Sequence, residues 1–221
     1  MVMSISSKIK NKLFYKLNPW FREHVIIPRN KAKAKNIKDV TVLCNNCLGG
    51  VIFHELNKKF LSPTINMWMY PKDFIKYCTN LRHYSQCKLI FVDFYHYFPQ
   101  YEGKNYPVAR LDDITLFFQH YKTEEEARKK WEERTQRINY ENIRCILTER
   151  DGCTFEDLKT FLKLPYPTAS LVHTPIPSLS NTHHIKGFEK MNELGNIMEF
   201  KDNQFFGYKY FDDFDYIHFL L

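Results

Sequence analysis

Apolar positions along this chain follow two rhythms, one of helical and one of strand spacing. Residues 4–17 place Ile5, Ile9, Leu13 and Leu17 at four-residue steps, with Lys8, Lys10, Lys12 and Lys16 between them. On a helix this spacing makes an apolar stripe beside a lysine-rich face. Asn18–Lys38 interrupts the rhythm with Pro19, Pro28 and the run Lys31-Ala-Lys33-Ala-Lys35, and reads as a linker or loosely attached arm. From Asp39 the pattern is regular. Val40–Leu43 is a β-rich run that Asn45-Asn46 breaks, and Leu48, Val51, Ile52, Leu56 and Phe60 then recur at helical spacing. Tyr70-Pro71 opens a second helix with Phe74, Ile75, Cys78 and Leu81 facing inward. Lys88–Phe94 reads as a strand whose Leu-Ile-Phe-Val run implies burial on both faces.

The alternation continues to Thr174. Ile114–Gln119 is a strand, and Thr123 with Glu126 forms a capping box before a helix that turns Ala127, Trp131 and Ile138 inward. Ile143–Thr148 is a strand, Thr154–Leu162 a helix and Ser170–His173 a strand. After Pro175 the pattern loosens, and the tail Phe211–Leu221 reads as a last docked helix. The predicted fold is α/β: a single open, mainly parallel sheet with helices on both faces, a Rossmann-like layering, plus a basic N-terminal helical arm. The division is residues 1–38 as arm and linker and 39–221 as one domain.

At 221 residues with 44% apolar and 26% charged side chains, the chain is that of a globular protein. Its longest apolar runs, Met67–Tyr70 and Leu89–Val92, are four residues, against about 20 for a membrane span. No secretory core is seen, so the expected location is cytoplasmic, at the inner face of the cell membrane if the arm binds there. Residues 1–40 hold ten Lys/Arg against Glu23 and Asp39, leaving 22 basic and 23 acidic side chains in the rest. The excess charge thus belongs to the arm. It suits an anionic membrane surface met by residues 4–17, or a terminal helix that packs on the body and solvates its lysines. A nucleic-acid partner is not expected, because the body lacks the basic excess such a groove needs.

In a parallel sheet, ligands bind beyond the carboxyl ends of the strands. The predicted strands deliver Asn45-Asn46 with Gly49-Gly50, then His120, Asp151 and His173 to that edge. Two asparagines and two glycines at a helix start offer backbone N–H groups to a phosphate or hydroxyl; the alternative is that Gly49 and Gly50 only let a helix pack closely. His120 or Asp151 suits a general base, while Asn45, Asn46, Gly49 and Gly50, with His173 and Lys186, suit substrate binding. Cys44-x-x-Cys47 has redox spacing but lacks the usual preceding tryptophan and glycine. No zinc set is read: eight residues separate Cys78 from Cys87, and His183-His184 fits no ligand spacing. Asp112-Asp113 and Asp212-Asp213, the adjacent aspartate pairs, read as turns or helix starts. No cofactor is indicated.

Asn45-Asn46-Cys47-Leu48-Gly49-Gly50, Ser62-Pro63-Thr64, Tyr70-Pro71-Lys72-Asp73-Phe74, Tyr106-Pro107-Val108, Phe118-Gln119-His120-Tyr121, Lys130-Trp131-Glu132-Glu133-Arg134 and Asp151-Gly152-Cys153-Thr154 follow one another over residues 39–217. This series resembles the bacterial family called domain of unknown function 1919, whose members are often labelled exopolysaccharide biosynthesis proteins. Cys44 and Leu48 stand where that family usually has serine and an aromatic residue. The resemblance implies a role in surface-polysaccharide or capsule assembly. Two functions follow from it: a glycosyltransferase or related sugar-modifying transferase acting on a nucleotide-sugar or glycan, and a non-catalytic, membrane-associated partner of a polysaccharide-synthesis complex.

Overall fold

The structure, a computed structural model, describes residues 5–221 except 104, 203 and 204, with side chains described from Leu13 onward. Helix α1 (Ile5–Phe21) passes through a π-helical turn, Arg22–Ile26, into α2 (Ile27–Lys33) and a 3-10 turn, Ala34–Asn36. Strand β1 (Thr41–Cys44) leads to α3 (Leu48–Glu55), α4 (Pro71–Thr79) and the single turn α5 (Leu81–Tyr84). Then come β2 (Ile90–Val92), α6 (Phe94–Tyr97), β3 (Val108–Leu111), β4 (Ile114–Phe117) and α7 (Glu124–Thr135). The chain ends with β5 (Ile143–Thr148), α8 (Phe155–Phe161), β6 (Thr168–Val172), β7 (Thr182–His184), a 3-10 turn at Tyr210–Asp213 and α9 (Tyr216–Leu220).

The protein is α/β, but its strands form two sheets where one was expected. Four parallel strands lie in the order β1-β5-β6-β7, and β2-β3-β4 make a separate antiparallel sheet. The cause is the turn Asp112-Asp113. Two residues suffice to reverse the chain but not to cross over to a parallel neighbour, so β3 and β4 must pair as a hairpin. Asp112 takes the left-handed conformation this turn requires, at φ 57°. The Lys88–Phe94 strand is accordingly not buried on both faces: β2 pairs only with β3, and Ile90 is 64% exposed.

Alternate residues of the parallel strands divide between two apolar clusters, as a period of two demands. Leu43, Cys145, Leu147 and Val172 join Phe74 and Tyr77 of α4, Trp131 of α7 and Phe161 of α8. Val42, Cys44, Ile146 and Leu171 join Leu48 and Ile52 of α3 and Ile217 of α9. The predicted capping box forms in part. Thr123 Oγ1 accepts from the Glu126 amide, while the Glu126 carboxylate takes the Lys122 amide instead of closing the box; the full box stands at Thr154 and Asp157.

Asn18–Lys38 is not a loose linker. Asn18, Arg22, Ile26, Ala34 and Ile37 are buried, and the helical path continues through Pro19 and Pro28 by way of the π-helical turn. The Arg22 guanidinium ties this strap to the body through Glu55 and Asp212. Of the apolar stripe, Leu13 and Leu17 are 47% and 37% exposed; the stripe's other positions, Ile5 and Ile9, and the lysines Lys8, Lys10 and Lys12 lie outside the described side chains. No helix among the described residues is long and apolar enough to cross a membrane.

Candidate functional site

The carboxyl end of β1 is a packed corner. Asn45, 1% exposed, donates Nδ2–H to the Thr148 carbonyl at 3.1 Å and accepts the Thr148 amide on Oδ1 at 2.9 Å. Its side chain thus extends the β1–β5 pairing by one rung. Asn46 Oδ1 accepts from the Leu48 amide at 3.0 Å and from Cys44 Sγ at 3.4 Å, which opens α3 with an Asx turn. A Cβ on Gly49 would stand 3.3 Å from Cys44 Cβ, so this glycine lets α3 lie against β1. Residues 41–50 are all buried. In the fold, the polar groups and close approaches of Asn45, Asn46, Gly49 and Gly50, the residues expected to hold a phosphate, serve packing. Burial pushes the thiols of Cys44 and Cys47 up to about 11 and about 12, opposite to what a redox pair needs.

Chemistry-bearing side chains gather one and two strands further on. Beyond β5, Glu149 Oε2 accepts the His173 amide at 2.9 Å and stands 2.6 Å from His173 Nδ1, with the two side chains only 12% and 16% exposed. A carboxylate oxygen can only accept, so the neutral ring keeps its proton on Nδ1 and leaves the Nε2 lone pair free for work. Next to Glu149, the Arg150 guanidinium pairs with Asp151 at 3.0 Å. Asp151 and Gly152 are both left-handed, at φ 57° and 78°, which folds the loop back so that the Gly152 amide donates to Glu193. The strands are added in one direction only, so the sheet lacks a point where the order reverses.

The remaining predicted residues separate. Lys186 follows β7, is exposed, and bonds through its amide to Asp213, well along the chain from the Asn45 corner it was expected to complete. His120 stands exposed past the end of β4, in the antiparallel sheet, with its amide bonded to the Asn66 carbonyl. It lines a cavity of about 300 Å³ with Tyr101, Asn105, Tyr106 and Lys122. Tyr106 connects the two regions: the Trp68 indole donates to its phenol, and burial, with Tyr101, Tyr70 and Asp151 nearby, pushes that phenol's pKa up. Tyr70, whose phenol is raised by burial and by Asp151, lies edge-on to Trp68 at 5.1 Å. The Tyr70 and Tyr106 phenols thus lie within electrostatic reach of Asp151.

Sequence reasoning named His173 but not Glu149, its partner. The signal was present only as two polar residues directly after apolar strands. A larger cavity, about 780 Å³, went unforeseen; it lies between the arm (Phe14, Arg22) and the late segment around Met198 and Lys209.

The model of the domain of unknown function 1919 matches residues 20–221, from within α1 to the last residue. The chain belongs to this family. An uncharacterized protein of Haemophilus influenzae is 38% identical over 197 residues, covering 89% of this chain and 91% of that protein. The matched span begins inside the buried strap, in keeping with the strap's place in the domain of unknown function 1919 fold.

Proposed function

We propose that this protein is a sugar-directed transferase of surface-polysaccharide assembly, working at the carboxyl edge of its parallel sheet. The Glu149–His173 pair carries the reading, because it presents a half-buried imidazole with a fixed tautomer. His173 Nε2 takes the proton of an acceptor hydroxyl while that oxygen attacks the sugar's anomeric carbon. The bond to the departing nucleoside diphosphate breaks, and Arg150 faces the phosphate charge that develops. Tyr70, Tyr106 and Trp68 offer rings on which a sugar can stack, and His120 offers a polar contact at their rim. The role in polysaccharide assembly is what the resemblance drawn from the sequence motifs implies. Apolar clusters on both faces of the parallel sheet support Rossmann-like layering for that half of the molecule.

The test is a panel of nucleotide-sugars titrated into the full-length protein, followed by turnover assays with a glycan acceptor. Glu149→Gln and His173→Asn should keep donor binding and lose turnover by about 100-fold or more. If no donor or glycan binds, the transferase reading fails.

One observation favours the second reading, a non-catalytic partner held at the inner face of the membrane. Leu13, Leu17, Trp20 and Val25 of the arm are exposed, and Phe206 beside them is 63% exposed. Apolar and aromatic side chains next to lysines suit an anionic lipid surface. Co-sedimentation with phosphatidylglycerol vesicles, lost in Leu13→Glu with Leu17→Glu and at high salt, is the expected result for it.

A further inference from the structure

Among the described residues, one group of three potential metal ligands converges: His83, Cys87 and Asp112, whose ligand atoms all lie within 4.8 Å of one another. His83 belongs to α5, Cys87 follows one turn later, and Asp112 heads the β3–β4 hairpin. His83 Nε2 stands 2.8 Å from Asp112 Oδ2 and 3.6 Å from Cys87 Sγ.

Both partners address the same ring nitrogen. A nucleophilic cysteine–histidine–aspartate relay needs thiol and carboxylate on opposite nitrogens, so that the carboxylate orients the ring and the other nitrogen takes the thiol proton. Here the three ligand atoms surround one point. The distances suit an ion at that point. A thiolate about 2.3 Å and an imidazole nitrogen about 2.05 Å from a tetrahedral zinc stand about 3.6 Å apart, the spacing between Cys87 and His83. A carboxylate oxygen and an imidazole nitrogen on the same ion stand about 3.3 Å apart, so Asp112 need retreat by only about half an ångström.

The hairpin is held in place for this. Asp113, next to Asp112, accepts from Tyr84 Oη at 2.6 Å and from Lys76 Nζ at 2.7 Å. These bonds pin the turn onto α4 and α5 independently of any ion. Because β3 and β4 run from this turn toward Tyr106 and His120 at their other ends, the cluster is separate from the proposed sugar site.

We propose that His83, Cys87 and Asp112 form a mononuclear site for zinc, with the fourth position open to water. One sulfur, one nitrogen and one oxygen ligand suit this borderline-soft ion and not magnesium or calcium, which take oxygen ligands.

The experiment titrates zinc chloride, and separately cobalt(II) chloride, into the metal-stripped full-length protein. One equivalent of zinc should bind, and cobalt should give a thiolate charge-transfer band with the intense visible bands of four-coordination. Cys87→Ser and His83→Gln should each weaken zinc by at least about tenfold, since loss of even an outer partner of a ligand costs that much. Cys153→Ser, the other half-buried cysteine, should bind as the parent does. His83 is exposed and the two cysteines are half-buried, so melting curves are compared with the parent to confirm folding. Should a variant fail to fold, mapping Cys87 alkylation by iodoacetamide in the parent gives the answer directly, zinc slowing it and Asp112→Asn restoring it. Absence of the cobalt band, unchanged zinc affinity in Cys87→Ser or His83→Gln, or zinc-insensitive alkylation of Cys87 overturns the site.

Discussion

Arg22 grips Glu55 with two bonds, Nε to Oε1 at 2.7 Å and Nη2 to Oε2 at 2.6 Å, across 33 residues of sequence. The same guanidinium donates to Asp212 at 2.8 Å and to the Gly207 carbonyl at 3.0 Å. One side chain of the π-helical turn thereby joins the arm, the first helix after β1 and the C-terminal segment. π-helical turns are frequent where a helix carries a special side chain, and here the turn begins at Arg22.

Arg22→Ala should lower stability by about 3–5 kcal/mol, because two buried carboxylates lose their shared counter-charge. Urea unfolding of parent and variant at neutral pH measures it. A loss below 1 kcal/mol, on the order of an exposed pair, would show the arm to be loosely held.

Gly207→Ala should be more costly than the left-handed conformation alone. Gly207 sits at φ 74°, and a Cβ there would come 2.5 Å from the Arg22 amide nitrogen. Left-handed strain accounts for about 1–2 kcal/mol, and the backbone collision adds to it by pushing Arg22 from its partners. Thermal melts of Gly207→Ala beside Arg22→Ala check the link, with a shared defect giving a double variant little worse than either single one.

Asn45→Ala and His120→Ala should separate structural from surface polar groups. Removing the Asn45 amide strands the Thr148 N–H and carbonyl in the core, at about 2–4 kcal/mol for the two. His120 is exposed, so its replacement should change stability by no more than about 0.5 kcal/mol while weakening saccharide binding. Denaturant melts give the first comparison and glycan titration the second. A destabilised His120→Ala would place that ring in a structural role.

Stability should fall in alkaline solution. A thiol in the unfolded chain ionises near 9.0, whereas burial holds Cys44 to about 11 and, with Cys44 alongside, Cys47 to about 12. The unfolded state therefore releases protons that the folded state retains, so stability is intact below pH 9 and declines as pH rises toward 12. Cys47→Ala should make the decline shallower between about pH 9 and pH 12 in melting experiments. An unchanged slope would show that Cys47 is not the titrating group.

Local physics made several elements legible from the sequence alone. β5 occupies Ile143–Thr148 as read, because six β-forming residues without a breaker leave few alternatives. α8 starts where Thr154 and Asp157 cap it, and α7 buries Ala127 and Trp131, since caps and helical spacing act within one or two turns of chain. Sheet membership required the third dimension. Val108–Leu111 is four residues after a proline and Thr182–His184 is polar, so neither shows a strand rhythm; each is a strand only because a neighbour supplies hydrogen bonds. The apolar run at Ile90 looks like a buried strand until its one-sided pairing is seen. The site divides the same way. Polar residues after each apolar strand were visible, but whether an asparagine serves a ligand or a neighbouring strand depends on partners more than a hundred residues away. Asn45 meets Thr148, Arg22 meets Asp212 and His83 meets Asp112 because the folded chain brings them within hydrogen-bond range, and no spacing along the sequence encodes that distance.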